Sequence, residues 1–284
     1  MNLKRILKKY VQASPTGGWG MIIVCIIGVV LLIRHFWIGS YRISTHSMEG
    51  ALHKGDFVLV NKLPVKNHLK RNQIILFRSP LQRDKDNSPL IVSRCVALPG
   101  DTIQVKPDGY IINGIHYPRS PQTLSTYTIT PGLREPFLNL LIRLGIPRRE
   151  QSTSAQVSTF ILTSFEEYQI REEMNERANK LFLREKEEDY TIIVPRKGQT
   201  YRINESFLTA SREAIIAEAE QEVTFQNRKL HLDGKETKTF TFNKDYYWVL
   251  SDNTDDAVDS RYVGFVPAEN IVGKVWFRWL RKDD

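Results

Sequence analysis

The chain has 284 residues and a formal net charge of +8, from 40 lysines and arginines against 32 aspartates and glutamates. Its hydrophobic fraction of 41% and charged fraction of 25% exclude disordered and fibrous proteins. Residues 1–42 contain six basic and no acidic side chains, so residues 43–284 carry only +2, from 34 basic and 32 acidic side chains. The basicity is a property of the N-terminal segment, and this distribution argues against a nucleic-acid partner.

The first predicted element is an apolar segment. Every residue of Met21–Ile33 is apolar or glycine. The wider segment Trp19–Ile38 has 20 residues, which as a helix would be about 30 Å long, the thickness of the hydrocarbon core of a bilayer. Because basic residues precede it, we predict a cytoplasmic tail over 1–18 and a transmembrane signal anchor over 19–38. The rest of the chain then lies on the outer (periplasmic or extracytoplasmic) side. A buried core helix and a removable signal peptide are the alternatives, although Phe36–Ile38 is too bulky for a cleavage site.

The two cysteines indicate neither a disulfide nor a metal site. Cys25 lies within the predicted span and Cys95 lies far outside it, so they cannot pair within one chain. No cluster of cysteines and histidines has the spacing of metal ligands. We therefore expect no metal and no other cofactor.

Alternation of apolar and polar residues between turn signals predicts a mainly antiparallel β domain in two parts, 42–119 and 222–284. A hairpin is predicted around Asn113-Gly114, which suits a tight type I′ turn between Tyr110–Ile112 and Ile115–Tyr117. The other predicted strands are Asp56–Asn61, Gln73–Arg78, Ile91–Ala97, Thr102–Lys106, Glu222–Leu232, Thr237–Phe242, Tyr246–Leu250 and Val275–Leu280.

Residues 120–221 differ in composition and predict a partly helical insertion. Ser164–Phe182 has helical spacing, with Ser164 and Glu167 in the positions of a capping box. Asn204–Gln221 is a second predicted helix. The charged surface of the first helix is typical of a solvated face, and a docking surface for a partner is the alternative.

Four motifs carry the functional signal. They are Ser44–Met48 (STHSM), Gly55–Lys62 (GDFVLVNK), Ser93–Asp101 (SRCVALPGD) and Ser251–Arg261 (SDNTDDAVDSR), the last followed by Gly264–Pro267 (GFVP). A lone serine such as Ser47 is usually a turn residue. In this order behind an N-terminal anchor, however, the motifs resemble those of the type I signal peptidases, a family of serine–lysine endopeptidases.

The resemblance implies roles for individual residues. Ser47 matches the nucleophile, and the main-chain N–H of Ser47 and the hydroxyl of Thr45 match the donors that stabilise the oxyanion. Polar residues that brace the strands around the site are matched by Arg94, Asp252, Asp259 and Arg261. The implied fold is an antiparallel β catalytic domain whose apolar surface contacts membrane lipid. The implied partners are precursor proteins whose signal peptides bind as an added strand.

The sequence departs from the family where the general base is expected. Ser93 stands at the position of the family lysine, Ala257 at that of the serine that orients this lysine, and Ser251 at that of a glycine. A serine hydroxyl cannot act as a base near neutral pH, and loss of a base typically reduces the rate by about 10²- to 10⁴-fold. The replacements weighed as a base are Lys62, Lys85, His46 and His53, none of them well placed by the sequence.

Two functions follow from this pattern. The first is a membrane-anchored serine endopeptidase that removes signal peptides, supported by retention of Ser47, Thr45 and Arg94. The second is a catalytically impaired paralogue that binds signal-peptide-like segments or a partner without efficient cleavage. Ser93 and Ala257 favour this second function.

Overall fold

The computed structural model describes most of the chain outside the N-terminus. The described residues are 15–62, 69–82, 84, 87–106, 109–119, 121–153, 158–174, 178, 182–184, 190–253 and 257–279. Most of the predicted cytoplasmic tail, Lys85, and Leu280 at the end of the last predicted strand lie outside these ranges.

Helices are few. They are α1 (Pro15–Phe36), α2 (Arg134–Leu144), α3 (Ser164–Met174), α4 (Glu205–Glu218) and the single turn α5 (Ser260–Val263), with a 3₁₀ turn at Ala268–Asn270. α1 covers most of the segment predicted as an anchor, and Ile38 already begins a strand. Among the described residues, no helix meets the combined length and hydropathy expected of a membrane span.

Within the described ranges, twenty strands make the fold mainly antiparallel β, as predicted. They are β1 (Ile38–Arg42), β2 (Phe57–Asn61), β3 (Ile74–Arg78), β4 (Leu90–Ala97), β5 (Thr102–Lys106), β6 (Gly109–Ile112), β7 (Ile115–Pro118), β8 (Leu124–Ile129), β9 (Glu150–Thr153), β10 (Ser158–Thr163), β11 (Phe182–Arg184), β12 (Tyr190–Ile193), β13 (Thr200–Arg202), β14 (Val223–Gln226), β15 (Lys229–Leu232), β16 (Lys235–Thr237), β17 (Thr239–Thr241), β18 (Tyr246–Leu250), β19 (Val266–Pro267) and β20 (Ile271–Trp279).

The largest sheet joins the two halves of the β domain. Its strand order is β1-β2-β20-β3-β4-β18-β19, so strands from the two ends of the sequence are neighbours. β20 lies between β2 and β3, and β18 pairs with β4 through Cys95↔Val249 and Arg94↔Leu250. Buried aliphatic side chains on this sheet, such as Ile75 and Val249, form its core because alternate residues of each strand point to one face. This pairing brings the Ser93–Asp101 motif beside the one that begins at Ser251.

A second sheet, β12-β5-β6-β7, contains the predicted Asn-Gly hairpin. Asn113 and Gly114 both have positive φ, 51° and 82°, which is the conformation of a type I′ turn. The β6–β7 register closes on Ile112↔Ile115. The hairpin predicted at this position is therefore confirmed.

The insertion has a sheet of its own, β11-β8-β10-β9, on which α2 and α3 pack. Its capping box lies one residue before the predicted one. The hydroxyl of Thr163 accepts from the N–H of Glu166 (3.1 Å), and the carboxylate of Glu166 accepts from the N–H of Thr163 (2.7 Å). Ser164 instead hydrogen-bonds to Thr123, because its side chain lies over the neighbouring loop.

Three predicted boundaries were wrong. Glu222–Leu232 is not one strand but the hairpin of β14 and β15, since Asn227 and Arg228 both have positive φ and make a tight turn. The predicted strand Thr237–Phe242 is divided between β16 and β17, which belong to different sheets. Phe182, predicted at the end of a helix, begins β11, because its backbone pairs with Ile129.

Candidate active site

Ser47 lies in the loop that connects β1 to β2. The loop is closed at its base, where the N–H of Ile43 donates to the carbonyl of Asp56 (2.8 Å) and the N–H of Gly55 donates to the carbonyl of Ile43 (2.9 Å). Met48 is completely buried in an apolar cluster that includes Val58 of β2. A buried neighbour and a closed base fix the position of Ser47.

The Ser47 side chain is paired with a second hydroxyl. Its Oγ lies 3.0 Å from Oγ1 of Thr45, and either atom can donate. Ser47 is 7% exposed, and its main-chain N–H has no hydrogen-bond acceptor among the described residues. The loop thus presents a hydroxyl and an available N–H donor side by side, as a serine nucleophile with its oxyanion donor requires.

The segment after β18 holds the Ser47 loop from the other side. The N–H of Asn253 donates to the carbonyl of Ser47 (2.9 Å), and the Asn253 amide donates to the carbonyl of His46 (3.0 Å). Asn253 was not singled out from the sequence. Its position within the last motif was a sequence signal for a role in the site. Which groups its amide contacts follows only from the pairing of the two loops.

A buried ion pair fixes this segment to β4. The Arg94 guanidinium donates to both carboxylate oxygens of Asp252, at 2.8 and 2.5 Å. Burial alone would lower the pKa of Arg94, but the hydrogen bond and the charge of Asp252 raise it above its usual range. Arg94 therefore stays charged, and its two hydrogen bonds to Asp252 hold the segment that ends at Asn253 against the sheet.

A second ion pair supports the same segment from behind. The wholly buried Asp259 accepts from the guanidinium of Arg261 at 2.9 Å and from the N–H of Ser251, also at 2.9 Å. Asp259 is also the N-cap of α5 and accepts from the N–H of Arg261. Burial opposes the charge of Arg261, but the hydrogen bond and charge of Asp259 hold its pKa well above the usual value. The structure thus brings the four residues expected to brace the site into two bidentate pairs.

Ser93 makes a contact that the sequence did not predict. It is completely buried in β4, and its Oγ lies 3.0 Å from Oγ of Ser251. Ala257, at the expected orienting position, is half-buried. Two hydroxyls are therefore hydrogen-bonded to each other at the strand position where the family resemblance implies a lysine. The one sequence signal for this pair was that the family resemblance implies a glycine at the position of Ser251.

The other candidate bases have different partners. Lys62 follows β2 roughly 20 Å along the strand from Asp56, and its ammonium group lies 5.8 Å from the centre of the Tyr41 ring. Nδ1 of His46 lies 3.2 Å from Glu49, and Nδ1 of His53 lies 2.7 Å from the same carboxylate. Each of these three side chains is thus engaged by a group other than Ser47.

Comparison with known proteins shows the family to which the chain is similar. The chain matches the family described as signal peptidase, peptidase S26, over residues 16–174 and 192–280. It is similar to signal peptidase I of Buchnera aphidicola subsp. Baizongia pistaciae, with 27% identity over 90% of this chain and 74% of the relative. It is also similar to signal peptidase I of Aquifex aeolicus, with 28% identity over 88% of this chain and 79% of the relative. Signal peptidase I P of Bacillus subtilis subsp. natto is 35% identical over 40% of this chain and 58% of its own length. The family model covers most of the sequence, and the chain therefore belongs to the signal peptidase family, peptidase S26.

Proposed function

We propose that this signal peptidase cleaves signal peptides from exported precursor proteins with Ser47 as its nucleophile. The observation that carries the proposal is the Ser47 hydroxyl, 3.0 Å from the hydroxyl of Thr45 and next to a main-chain N–H that has no acceptor among the described residues. Family membership supplies the reaction class, a serine-type endopeptidase.

In this mechanism Oγ of Ser47 attacks the carbonyl carbon of the scissile peptide bond. The negative charge that develops on the carbonyl oxygen is stabilised by the N–H of Ser47 and by the hydroxyl of Thr45. The hydroxyl proton of Ser47 is transferred to the nitrogen of the scissile bond, the C–N bond breaks, and the new N-terminal amine of the mature protein leaves. Water then hydrolyses the acyl-serine ester, which returns a proton to Ser47 and releases the signal peptide with a free carboxyl terminus. Asn253 keeps the loop in place throughout, because it donates to two of its carbonyl groups.

The Ser93–Ser251 pair limits the rate of this reaction. A hydroxyl does not accept a proton near neutral pH, so Ser93 does not replace a lysine base. The oxyanion donors and the fixed position of Ser47 still contribute, since residual catalysis of about 10³- to 10⁴-fold over water survives loss of a triad member in other serine proteases. We expect slow, serine-dependent cleavage.

We further propose that the chain is anchored by residues 19–38, with its N-terminus in the cytoplasm and its catalytic domain on the outer side. The basic residues that precede this segment support the orientation. An exposed aromatic surface supports contact with lipid: Phe57 pairs with Trp279, and Phe277 lies two residues away on the same face of the sheet. Aromatic side chains favour the interface of a membrane with water.

The experiment that tests the nucleophile compares the purified full-length chain with two variants, Ser47→Ala and Ser44→Ala. Each is incubated in detergent with a precursor that carries an Ala-X-Ala cleavage site, and the mature product is quantified. We expect cleavage by the unmodified chain and by Ser44→Ala, an exposed serine in the same loop, and none by Ser47→Ala. Equal product from Ser47→Ala would show that the nucleophile lies elsewhere.

A paralogue that only binds signal-peptide-like segments is the second candidate, and the buried Ser93–Ser251 pair is the observation in its favour. It predicts saturable binding of the precursor with no product over many hours. Family membership favours the peptidase.

A further inference from the structure

The insertion contacts the Ser47 loop directly. Gly50, three residues after Ser47, has a φ of 102° and packs on the backbone of Gln122. A Cβ atom at position 50 would lie 2.5 Å from the carbonyl oxygen of Gln122, closer than real Cβ atoms approach an oxygen. Only glycine therefore allows the two backbones to come together here.

Two residues after Gln122, the insertion also contacts the segment on the other side of the loop. The N–H of Leu124 donates to the carbonyl of Asp252 (2.9 Å), and Leu124 forms a parallel bridge with Asn253. Asn253 in turn donates its N–H to the carbonyl of Ser47 (2.9 Å). The 121–124 segment of the insertion thus supports the loop twice, once directly and once through Asn253.

Helix α3 holds the 121–124 segment from the opposite side. The N–H of Ser164 donates to the carbonyl of Thr123, and the N–H of Phe165 donates to the carbonyl of Pro121, both at 2.9 Å. N–H groups in the first turn of a helix have no acceptor within the helix, so they are available for such contacts. The segment therefore has a fixed helix on one side and the Ser47 loop on the other.

We propose that the 121–124 segment positions Ser47 for its attack on the scissile bond. Gln122 limits the movement of Gly50, and Leu124 limits the movement of Asn253. A nucleophile misplaced by about 1 Å can lose about 10²-fold in rate, so a fixed loop has a direct effect on cleavage. Gln122 and Leu124 act through the loop and are positioning residues. This inference rests on the proposed function, and it gives the insertion a part in the catalytic step.

The first test acts from within the insertion. Ser164→Pro removes the N–H that binds Thr123, while proline suits the first position of a helix such as α3. Glu205→Pro is the matched control, because it makes the same change at the first position of α4, which packs on β12 and β15. Two quantities are measured on the full-length chain in detergent. They are the hydrogen-exchange rate of the Asn253 N–H, and kcat and KM for a precursor with an Ala-X-Ala cleavage site.

We expect Ser164→Pro to exchange the Asn253 N–H about tenfold faster, the value of one hydrogen bond, because the Ser47 loop is held less firmly. Its kcat should fall about tenfold at unchanged KM, since the loop leaves its reactive position more often while the precursor still binds. Glu205→Pro should match the unmodified chain in all three quantities.

The second test acts from the Ser47 loop. Gly50→Ala pushes a methyl group against Gln122, and we expect it to change exchange and kcat in the same direction as Ser164→Pro. Gly132→Ala is its control within the insertion, because Gly132 also has a positive φ, 81°, but an added Cβ would meet nothing within 4 Å. Both variants place alanine at an unfavourable φ, and only the first disturbs the contact with Gln122.

The proposal is overturned if Ser164→Pro and Glu205→Pro exchange the Asn253 N–H equally, or if they cleave with equal kcat. If Ser164→Pro does not fold, the same comparison between Gly50→Ala and Gly132→Ala decides. Absence of product from the unmodified chain would count against the proposed function instead. The exchange rates need no cleavage, so they would still decide whether the 121–124 segment holds the Ser47 loop.

Discussion

In the proposed mechanism, the hydroxyl of Thr45 is the side-chain oxyanion donor. Thr45→Val keeps the shape of the side chain and removes this donor, and we expect kcat to fall about 10- to 100-fold. Loss of a buried oxyanion donor costs about 10²- to 10³-fold, and Thr45 is exposed to solvent, so its loss should cost less. The measurement is kcat on a precursor, with Thr45→Ser as the matched control. A Thr45→Val enzyme as fast as Thr45→Ser would contradict this role.

Ser251 determines whether a lysine base can be restored at position 93. Ser93 is completely buried and in contact with Ser251, so a lysine there needs space that Ser251→Gly provides. We expect Ser93→Lys/Ser251→Gly to raise kcat/KM by about 10²-fold or more over the unmodified chain, the usual value of a general base, and Ser93→Lys alone to raise it less.

Burial of the new amine would lower its pKa, so the rate of the double variant should rise with pH through that pKa. Ser93→Met/Ser251→Gly is the matched control, because methionine has a similar length and no amine. Equal rates for the methionine and lysine variants would mean that the added space, rather than a base, changes the reaction.

For individual residues, the sequence located the candidate side chains but not all of their contacts. The family resemblance implied roles for Thr45 and Ser47, and the contact of their hydroxyls is local because they lie two residues apart. The pair of Ser93 and Ser251 joins residues 158 positions apart, so it depends on the pairing of β4 with β18. No local pattern encodes such a contact.

At the scale of elements, the Arg94–Asp252 pair joins strand β4 to the segment that holds the Ser47 loop. Arg94→Ala leaves the carboxylate of Asp252, which is 4% exposed, without its bidentate partner. We expect the free energy of unfolding to fall by about 3 kcal/mol, as for other buried pairs that lose one member. Precursor cleavage should fall as well, because Asn253 follows Asp252 directly.

The control for this prediction is Arg228→Ala, which breaks an ion pair with Glu205 in which both side chains are largely exposed. Exposed pairs contribute roughly 0–1 kcal/mol, so this variant should unfold almost like the unmodified chain. Urea unfolding, monitored by circular dichroism, measures the free energy of unfolding of both variants. Equal losses in the two variants would contradict the bracing role of Arg94.

Element boundaries show where local patterns suffice. Asn113-Gly114 was predicted correctly because type I′ geometry is nearly unique to such pairs. The tight turn at Asn227-Arg228 was missed because arginine rarely adopts positive φ, so an apolar–polar alternation over Glu222–Leu232 resembled one strand. The capping box was misplaced by one residue because Thr163 and Ser164 are equivalent by sequence alone.

For the whole molecule, the sequence predicted a mainly antiparallel β fold but not the order of its strands. Apolar alternation indicates strands, whereas the place of β20 between β2 and β3 depends on contacts between the two ends of the chain.

The core of the largest sheet should make stability sensitive to alkaline pH. Burial raises the pKa of Tyr247 from 10.0 to about 12, and the thiol of Cys95 in the same cluster adds to this rise. The unfolded chain then loses the phenolic proton at a lower pH than the folded chain does. The contribution of Tyr247 to stability is therefore complete below pH 10 and lost as pH rises from 10 to about 12.

Tyr247→Phe isolates this contribution, because it removes the titrating group and keeps the ring. Between pH 8 and about pH 12, the free energy of unfolding should fall about 1–2 kcal/mol more in the unmodified chain than in the variant. Urea unfolding at intervals between pH 8 and 12 measures the difference, with Tyr262→Phe, an exposed tyrosine, as the control. Parallel stability curves for the chain and Tyr247→Phe would mean that this phenol ionises equally in the folded and unfolded states. Its burial in the apolar cluster that includes Cys95 and Val249 argues against that outcome, since charge in an apolar core is strongly disfavoured.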